Sequence, residues 1–251
     1  SYGVSVSTIE HLMAAFNGLN IDNALIKLDS SELPALDGSS EEYTNKISKI
    51  GIKNQRENRN FLKILKEISI FENDRYISVT PADEFSIDVE INYPNTIIGN
   101  DKLSYIHNKT NFINYISKAR TFAFAEDVQK MRATGLAIGG SLNNAIVVDK
   151  YKIINSSGLR VYNEFIKHKA LDCLGDFYLL GMPIIGKVSC FAPGHRINQN
   201  FIKEILKKET NYKIQNRNQY DSFNFYNGED NTKVQSDNHV HVTWIKNKLL
   251  F

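Results

Sequence analysis

Cysteine, proline and tryptophan are scarce in this chain of 251 residues, with two, five and one of each. Two cysteines cannot build the disulfide framework of a small secreted domain. Cys173, inside a helical pattern, and Cys190, inside a strand-like run, therefore read as buried free thiols in a reducing compartment. Neither sign of charge dominates, since 30 Lys and Arg face 28 Asp and Glu for a net charge of +2. No global field draws nucleic acid or an anionic membrane to such a chain. No apolar run approaches the roughly 20 residues that span a bilayer, and no charged-then-apolar leader opens the text. The expectation is a soluble, cytoplasmic monomer without a nucleic-acid partner. Two motifs are also missing. "GLAIGGSLNNA" lacks both the G-x-G-x-x-G spacing and the Lys-Ser/Thr of a phosphate-binding loop, and no H-E-x-x-H occurs.

What is present is a core. Hydrophobic residues make up 42% of the chain, with 14 Phe and 12 Tyr, enough for one large core or two moderate ones. The first segment reads as strand, helix, strand over "VSVS", "TIEHLMAAFNG" and "NALIKLD". Ile9, Leu12, Met13 and Phe16 fall at i, i+3, i+4 and i+7, with Gly18 at the expected cap. A turn at Asp37-Gly38 and an amphipathic helix, "SEEYTNKISKI", follow. The basic, Asn-rich "GIKNQRENRN" reads as a linker. Beyond it come strands "FLKILKEISIF", "RYISVTPA" and "FSIDVEINYP", helices around "KTNFINYISKA" and "AEDVQKMRATG", strand "NAIVVD", a long helix over 164–180, strand "GKVSCFAPG" and helix "NQNFIKEILKK". Alternating strands and paired helices predict an α+β sandwich. The division expected is a first domain over 1–52, a second over 60–210, and a weakly ordered, Asn/Gln-rich tail over 211–251.

The chemistry gathers in "HKALDCLGD". On a helix, positions i, i+4 and i+8 drift by only about 40° per step, so His168, Asp172 and Asp176 share one narrow arc. A solvated face is one reading, with Glu164 near the row and Ile166, Ala170, Leu174 and Phe177 opposite. Against it, His before Asp is the poorer order for a helix ion pair, and Asp176 lies where the helix dipole disfavours an anion. A His and an Asp one turn apart also suit one metal ion. In "STIEHLMAAF", His11 projects away from the apolar stripe, beside Ala14 and Ala15, which leave room for close approach. Glu10 reads either as a functional carboxylate or as the partner of Ser7 in an S-x-x-E capping box. Thr121 and Phe122 stand at a loop-to-helix entry, facing a ligand or simply capping the helix. His195, after Pro193-Gly194, suits a proton donor or a plain loop equally. His107, His239 and His241 are set aside.

Taken together, "STIEHLMAAFNGLNIDNA", "ARTFAFAEDVQ", "GLAIGGSLNNAIVVD", "HKALDCLGD" and "PGHRIN" resemble, in order, the bacterial UDP-3-O-acyl-N-acetylglucosamine deacetylases, zinc enzymes of lipid A synthesis. The resemblance covers most of residues 1–210. It implies that His11, His168 and Asp172 hold Zn2+, or Fe2+, as a cofactor. It also implies that Glu10 is the general base toward water, that Thr121 and Lys169 stabilise the oxyanion, and that His195 protonates the leaving amine with Asp176 tuning it. Phe122, Val128, Ala137, Ser141 and Ala145 would line an acyl passage, and Arg75 would sit near the sugar nucleotide. The implied fold is two β-α-α-β domains with their helices between two sheets, and the implied substrate is UDP-3-O-(3-hydroxyacyl)-N-acetylglucosamine.

Three departures stand out. The strands and insertion that precede T-x-E-H in the family are not in this text, so the first domain reads as incomplete. Ala192 occupies a position that is basic in many members, and the text after residue 210 does not match the family's ending. A truncated, non-catalytic binding protein is the alternative, and metal content separates the two. The deacetylase reading expects about one tightly held divalent ion per purified chain. A chain that elutes metal-free and takes up none would favour the alternative.

Overall fold

The structure, a computed structural model, describes residues 5–135 and 139–217. The order of elements begins with helices α1 (Glu10–Gly18) and α2 (Glu41–Ile50). Strands β1 (Arg59–Ile64), β2 (Ile68–Glu72), β3 (Arg75–Thr80), β4 (Phe85–Tyr93) and β5 (Gly99–Ile106) follow. A short helix α3 (Lys109–Asn111) runs into a π-helical turn (Phe112–Ile116), then β6 (Phe122–Phe124), α4 (Ala125–Ala133) and β7 (Ile146–Val148). The chain closes through α5 (Glu164–Tyr178), β8 (Ile184–Phe191), α6 (His195–Leu206) and β9 (Tyr212–Arg217).

The class is mixed α+β. Seven strands form one sheet with path β2-β3-β8-β1-β9, and β4 and β5 are added through β8. β8 organises it: Ile184 and Ile185 pair in parallel with β1, and the rest of the strand lies between antiparallel β3 and parallel β4. Its alternate buried residues, among them Val188 and Cys190, meet Ile77 and Val79 of β3 and Ile87 and Val89 of β4 in one core. One face of α5, with Ile166, Ala170, Cys173, Leu174 and Phe177, completes that core, as period-3.6 spacing requires of a helix laid on a sheet.

The opposite face of α5 receives α1. Ala14 and Ala15 are fully buried, and a Cβ added to Gly175 would lie 2.1 Å from the Glu10 carbonyl oxygen. The two helices meet there backbone to side-chain-free backbone. Asn17 Nδ2 donates to the Leu174 carbonyl at 2.9 Å and locks the crossing. The expected stripe of Leu12, Met13 and Phe16 turns away, into a second cluster with Ala24, Leu33 and Tyr178. Arg59, where the linker enters β1, donates to Asp22 at 2.8 Å and to the Tyr178 hydroxyl at 3.1 Å, tying both segments to α5.

Several sequence expectations need correcting. "VSVS" and "NALIKLD" form no strand among the described residues. Only a single bridge, Ser7 to Glu32, is present, because alternation alone does not provide a ladder partner. Val6, Leu25, Ile26 and Leu28 stay 39–44% exposed. "FLKILKEISIF" is two strands, broken at residues 65–67. Residues 212–217, expected in a weakly ordered tail, pair antiparallel with β1 from Arg59↔Arg217 to Ile64↔Tyr212. The rest of the expected tail, with His239 and His241, lies outside the described residues.

Replacing Gly175 by alanine puts a methyl into the backbone of α1, which cannot swing aside as a side-chain tip would. Gly175→Ala should lower stability by about 3 kcal/mol in urea titration, at the upper end for overpacking. A midpoint equal to wild type would show that α1 does not rest on α5 at this point.

Candidate active site

The row on α5 is buried, so the solvated-face reading is overturned. His168, Asp172 and Asp176 are 2%, 3% and 4% exposed. A carboxylate so far from water needs partners, and each finds them across a different interface. His168 and Asp172 face α1, where His11 arrives edge-on to His168 with ring centroids 5.1 Å apart. Asp172 Oδ1 lies 3.2 Å from His168 Nε2 and 4.0 Å from His11 Nε2. One ligand atom from each of His11, His168 and Asp172 falls within 4.8 Å of the others.

The donors fit a dication. Asp172 Oδ1 and His11 Nδ1 are buried and have no hydrogen-bond partner among the described residues. Two atoms bound tetrahedrally to one ion at about 2.0 Å stand about 3.3 Å apart, which suits a carboxylate oxygen and an imidazole nitrogen that approach without bonding each other. His168 Nδ1 lies 3.0 Å from the Ala119 carbonyl. A carbonyl only accepts, so Nδ1 carries a ring proton, and Nε2 is the atom that faces Asp172. Burial and the neighbouring His168 push His11 down to about 4, which keeps it neutral, as a ligand must be. Burial works against the Asp172 anion, but His168 and Lys169 more than offset it and hold the carboxyl well below its usual range.

Three groups line the same space. Burial works against the Lys169 ammonium, yet Asp172, whose Oδ2 is 3.1 Å away, raises its pKa on balance. The Lys169 Nζ stands 5.5 Å from the centre of the Phe122 ring, which also lies edge-on to His168. Glu10 has no capping role, since the helix N-cap is Ile9 without a side-chain bond. Ser7 bonds to Ser31 and Thr8 to Glu32 instead. Burial raises the Glu10 carboxyl above its ordinary value, whereas a nearby dication would draw it back down.

Asp176 serves the other end of the site. His195 Nδ1 lies 2.9 Å from Asp176 Oδ2, and His195 Nε2 lies 4.0 Å from Glu10 Oε1. The bond to Asp176, against the opposing effect of burial, lifts His195 to about 9. Thr121 stands four residues ahead of α4, so it is not that helix's cap. Its amide donates to Gly38 at 2.7 Å, and Gly38, at φ +81°, passes so close to Asn144 that no Cβ would fit.

Of the other expected residues, Arg75 of β3 reaches Gly194 at the start of α6. Val128 is half-buried on α4 and Ala145 half-buried before β7, while exposed Ser141 bonds within its own turn to Asn144. Ala137 lies outside the described residues. The sequence reading missed the pair under the site. Glu164, which the solvated-face alternative set near the row, is fully buried. It accepts from Arg120 Nε at 2.8 Å and from the Arg120 amide at 3.0 Å, pinning the loop that offers Ala119 to His168. An Arg directly before Thr121 was the available signal, but its partner is distant in sequence.

Two imidazoles and a carboxylate with ligand atoms within 4.8 Å of one another, and a carboxylate and a histidine beside them, are the arrangement that a metal-dependent hydrolase uses. Residues 1–207 match the model of the UDP-3-O-acyl N-acetylglycosamine deacetylase family, and the chain belongs to that family. It is similar to the UDP-3-O-acyl-N-acetylglucosamine deacetylase of a Nitratiruptor species, 43% identical over 84% of this chain and 71% of that one. The enzymes of the same name from Nautilia profundicola and Campylobacter fetus subsp. fetus are 44% and 40% identical, covering 82% and 84% of this chain and 70% and 71% of theirs.

The His195–Asp176 pair sets a pH dependence. A histidine raised from 6.5 to about 9 contributes stability that is fully present below pH 6.5 and is lost as pH rises through about 9. Asp176→Asn removes the anion, so the alkaline limb of kcat/KM should move to lower pH. If it stays in place while His195→Gln abolishes it, Asp176 does not tune His195 electrostatically.

Proposed function

We propose that the chain hydrolyses the N-acetyl group of UDP-3-O-(3-hydroxyacyl)-N-acetylglucosamine, releasing acetate in the committed step of lipid A biosynthesis. His11, His168 and Asp172 would hold the metal, zinc or ferrous iron. The observation that carries this reading is the meeting of His11 from α1 with His168 and Asp172 from α5, the buried and unpaired Asp172 Oδ1 standing within 4.0 Å of an Nε2 of each histidine, in a chain of the deacetylase family. Membership of the deacetylase family does not favour the alternative of a non-catalytic binding protein.

When bound, the dication supplies Lewis acidity to the amide carbonyl and to water. The residues supply the rest. Glu10, raised by burial, takes the proton from the attacking water. The Lys169 ammonium and the Thr121 hydroxyl answer the charge that develops on the acetyl oxygen. His195, held protonated by Asp176, passes its proton from Nε2 to the leaving amine, because Nδ1 is engaged with the carboxylate. On this reading Arg75 meets the nucleotide portion, and Phe122, Val128, Ser141 and Ala145 border the acyl chain. On the family fold α1 and α2 would belong to one β-α-α-β domain, whose strands are not among the described residues, and α5 and α6 to the other.

Metal analysis paired with an acetate-release assay tests the proposal. The expected result is about one dication per chain with turnover. A metal-loaded chain that binds substrate and releases no acetate would overturn it. Glu10→Ala and His195→Ala should each retain the metal and lose about 10² to 10⁴-fold in turnover, the range for general acid–base groups.

A further inference from the structure

Asp176 is buried near the C-terminal end of α5, where the helix dipole opposes an anion, and it must hold one orientation to receive His195. Asn198 lies one turn beyond His195 on α6 and is completely buried. Its Nδ2 stands 2.7 Å from Asp176 Oδ2, the same oxygen that lies 2.9 Å from His195 Nδ1. The reverse setting of the amide would turn an acceptor on an acceptor, so Asp176 fixes which way Asn198 points. In that setting Asn198 Oδ1 is buried with no partner among the described residues, and the other neighbour of Nδ2 is the Cys173 thiol at 3.8 Å. Packing does not account for the residue. A leucine of similar size would fill the space between α5 and α6 without stranding an oxygen.

We propose that Asn198 is a positioning residue whose amide holds the Asp176 carboxylate in the rotamer that receives His195 Nδ1, leaving His195 Nε2 directed at Glu10. This rests on the hydrolytic role given to His195 above. Asp176 and Asp172 of α5 and Glu10 and His11 of α1 act on His195, and Arg75 of β3 lies against the preceding Gly194. None of these is altered by a change at Asn198. The sign of the response is therefore informative. If Asn198 only withdraws charge from Asp176, removing it makes the carboxylate more basic and raises His195. If Asn198 holds the carboxylate in place, removing it weakens the bond and His195 falls toward its ordinary value.

The test is an NMR titration of the His195 ring in the full chain, wild type against Asn198→Leu and Asn198→Ala, with kcat/KM profiles alongside. Two variants of different size guard against misfolding of either. The proposal expects the His195 midpoint to drop by about one unit in both, with the alkaline limb following it. A midpoint that rises, or one that stays while only thermal stability changes, overturns it. If His195 shifts as expected but no variant or wild-type chain releases acetate, the positioning stands and the deacetylase reading fails.

Discussion

The absence of a side chain at Gly175 governs this site. The Glu10 carbonyl lies where any Cβ would be, so α1 can approach α5 closely enough for His11 to reach His168 and Asp172. Glycine inside a helix is unfavourable by roughly 1 kcal/mol relative to alanine, and the gain from this contact must exceed that. Ala14 and Ala15, buried on the same face, extend the close approach along the helix. The bond from Asn17 to Leu174 fixes how far α1 can slide.

Once the helices are this close, electrostatics decide the rest. The narrow row of polar side chains lies between two apolar surfaces, where an uncompensated charge would be untenable. Each member finds a partner: His168 the Ala119 carbonyl, Asp172 the Lys169 ammonium of its own helix, Asp176 both His195 and Asn198 from α6. Asp172 Oδ1, left without a hydrogen-bond partner among the described residues, lies 3.2 Å from His168 Nε2 and 4.0 Å from His11 Nε2, where the donors converge. Arg120 and Glu164 form the foundation beneath, a buried pair that holds the loop over residues 119–121 against the start of α5.

Much of this was legible in the sequence because it is periodic. The stripe on α1 and the four-residue spacing on α5 state which residues share a face, and the resemblance assigned that face its chemistry. The failures share a cause as well. "VSVS" and "NALIKLD" alternate correctly, but alternation says nothing of whether a partner strand is at hand. Ser7 and Glu10 have capping-box spacing, yet Ser7 is taken by Ser31 from a distant loop. "YKIQNR" looked too polar for a sheet, but an edge strand needs only its ladder to β1 and tolerates polar side chains. Asn198 and Glu164 carry no local signature, since their meaning lies wholly in residues brought to them by the fold.

The central claim is that one dication is shared by His11 of α1 and by His168 and Asp172 of α5. Anomalous diffraction at the metal edge from crystals of the metal-loaded protein tests it without recourse to activity. The account predicts one dominant peak about 2.0 to 2.2 Å from a nitrogen of each histidine and an oxygen of Asp172. A peak held instead by Glu10 and His195, or by Cys173 and Cys190, would contradict it.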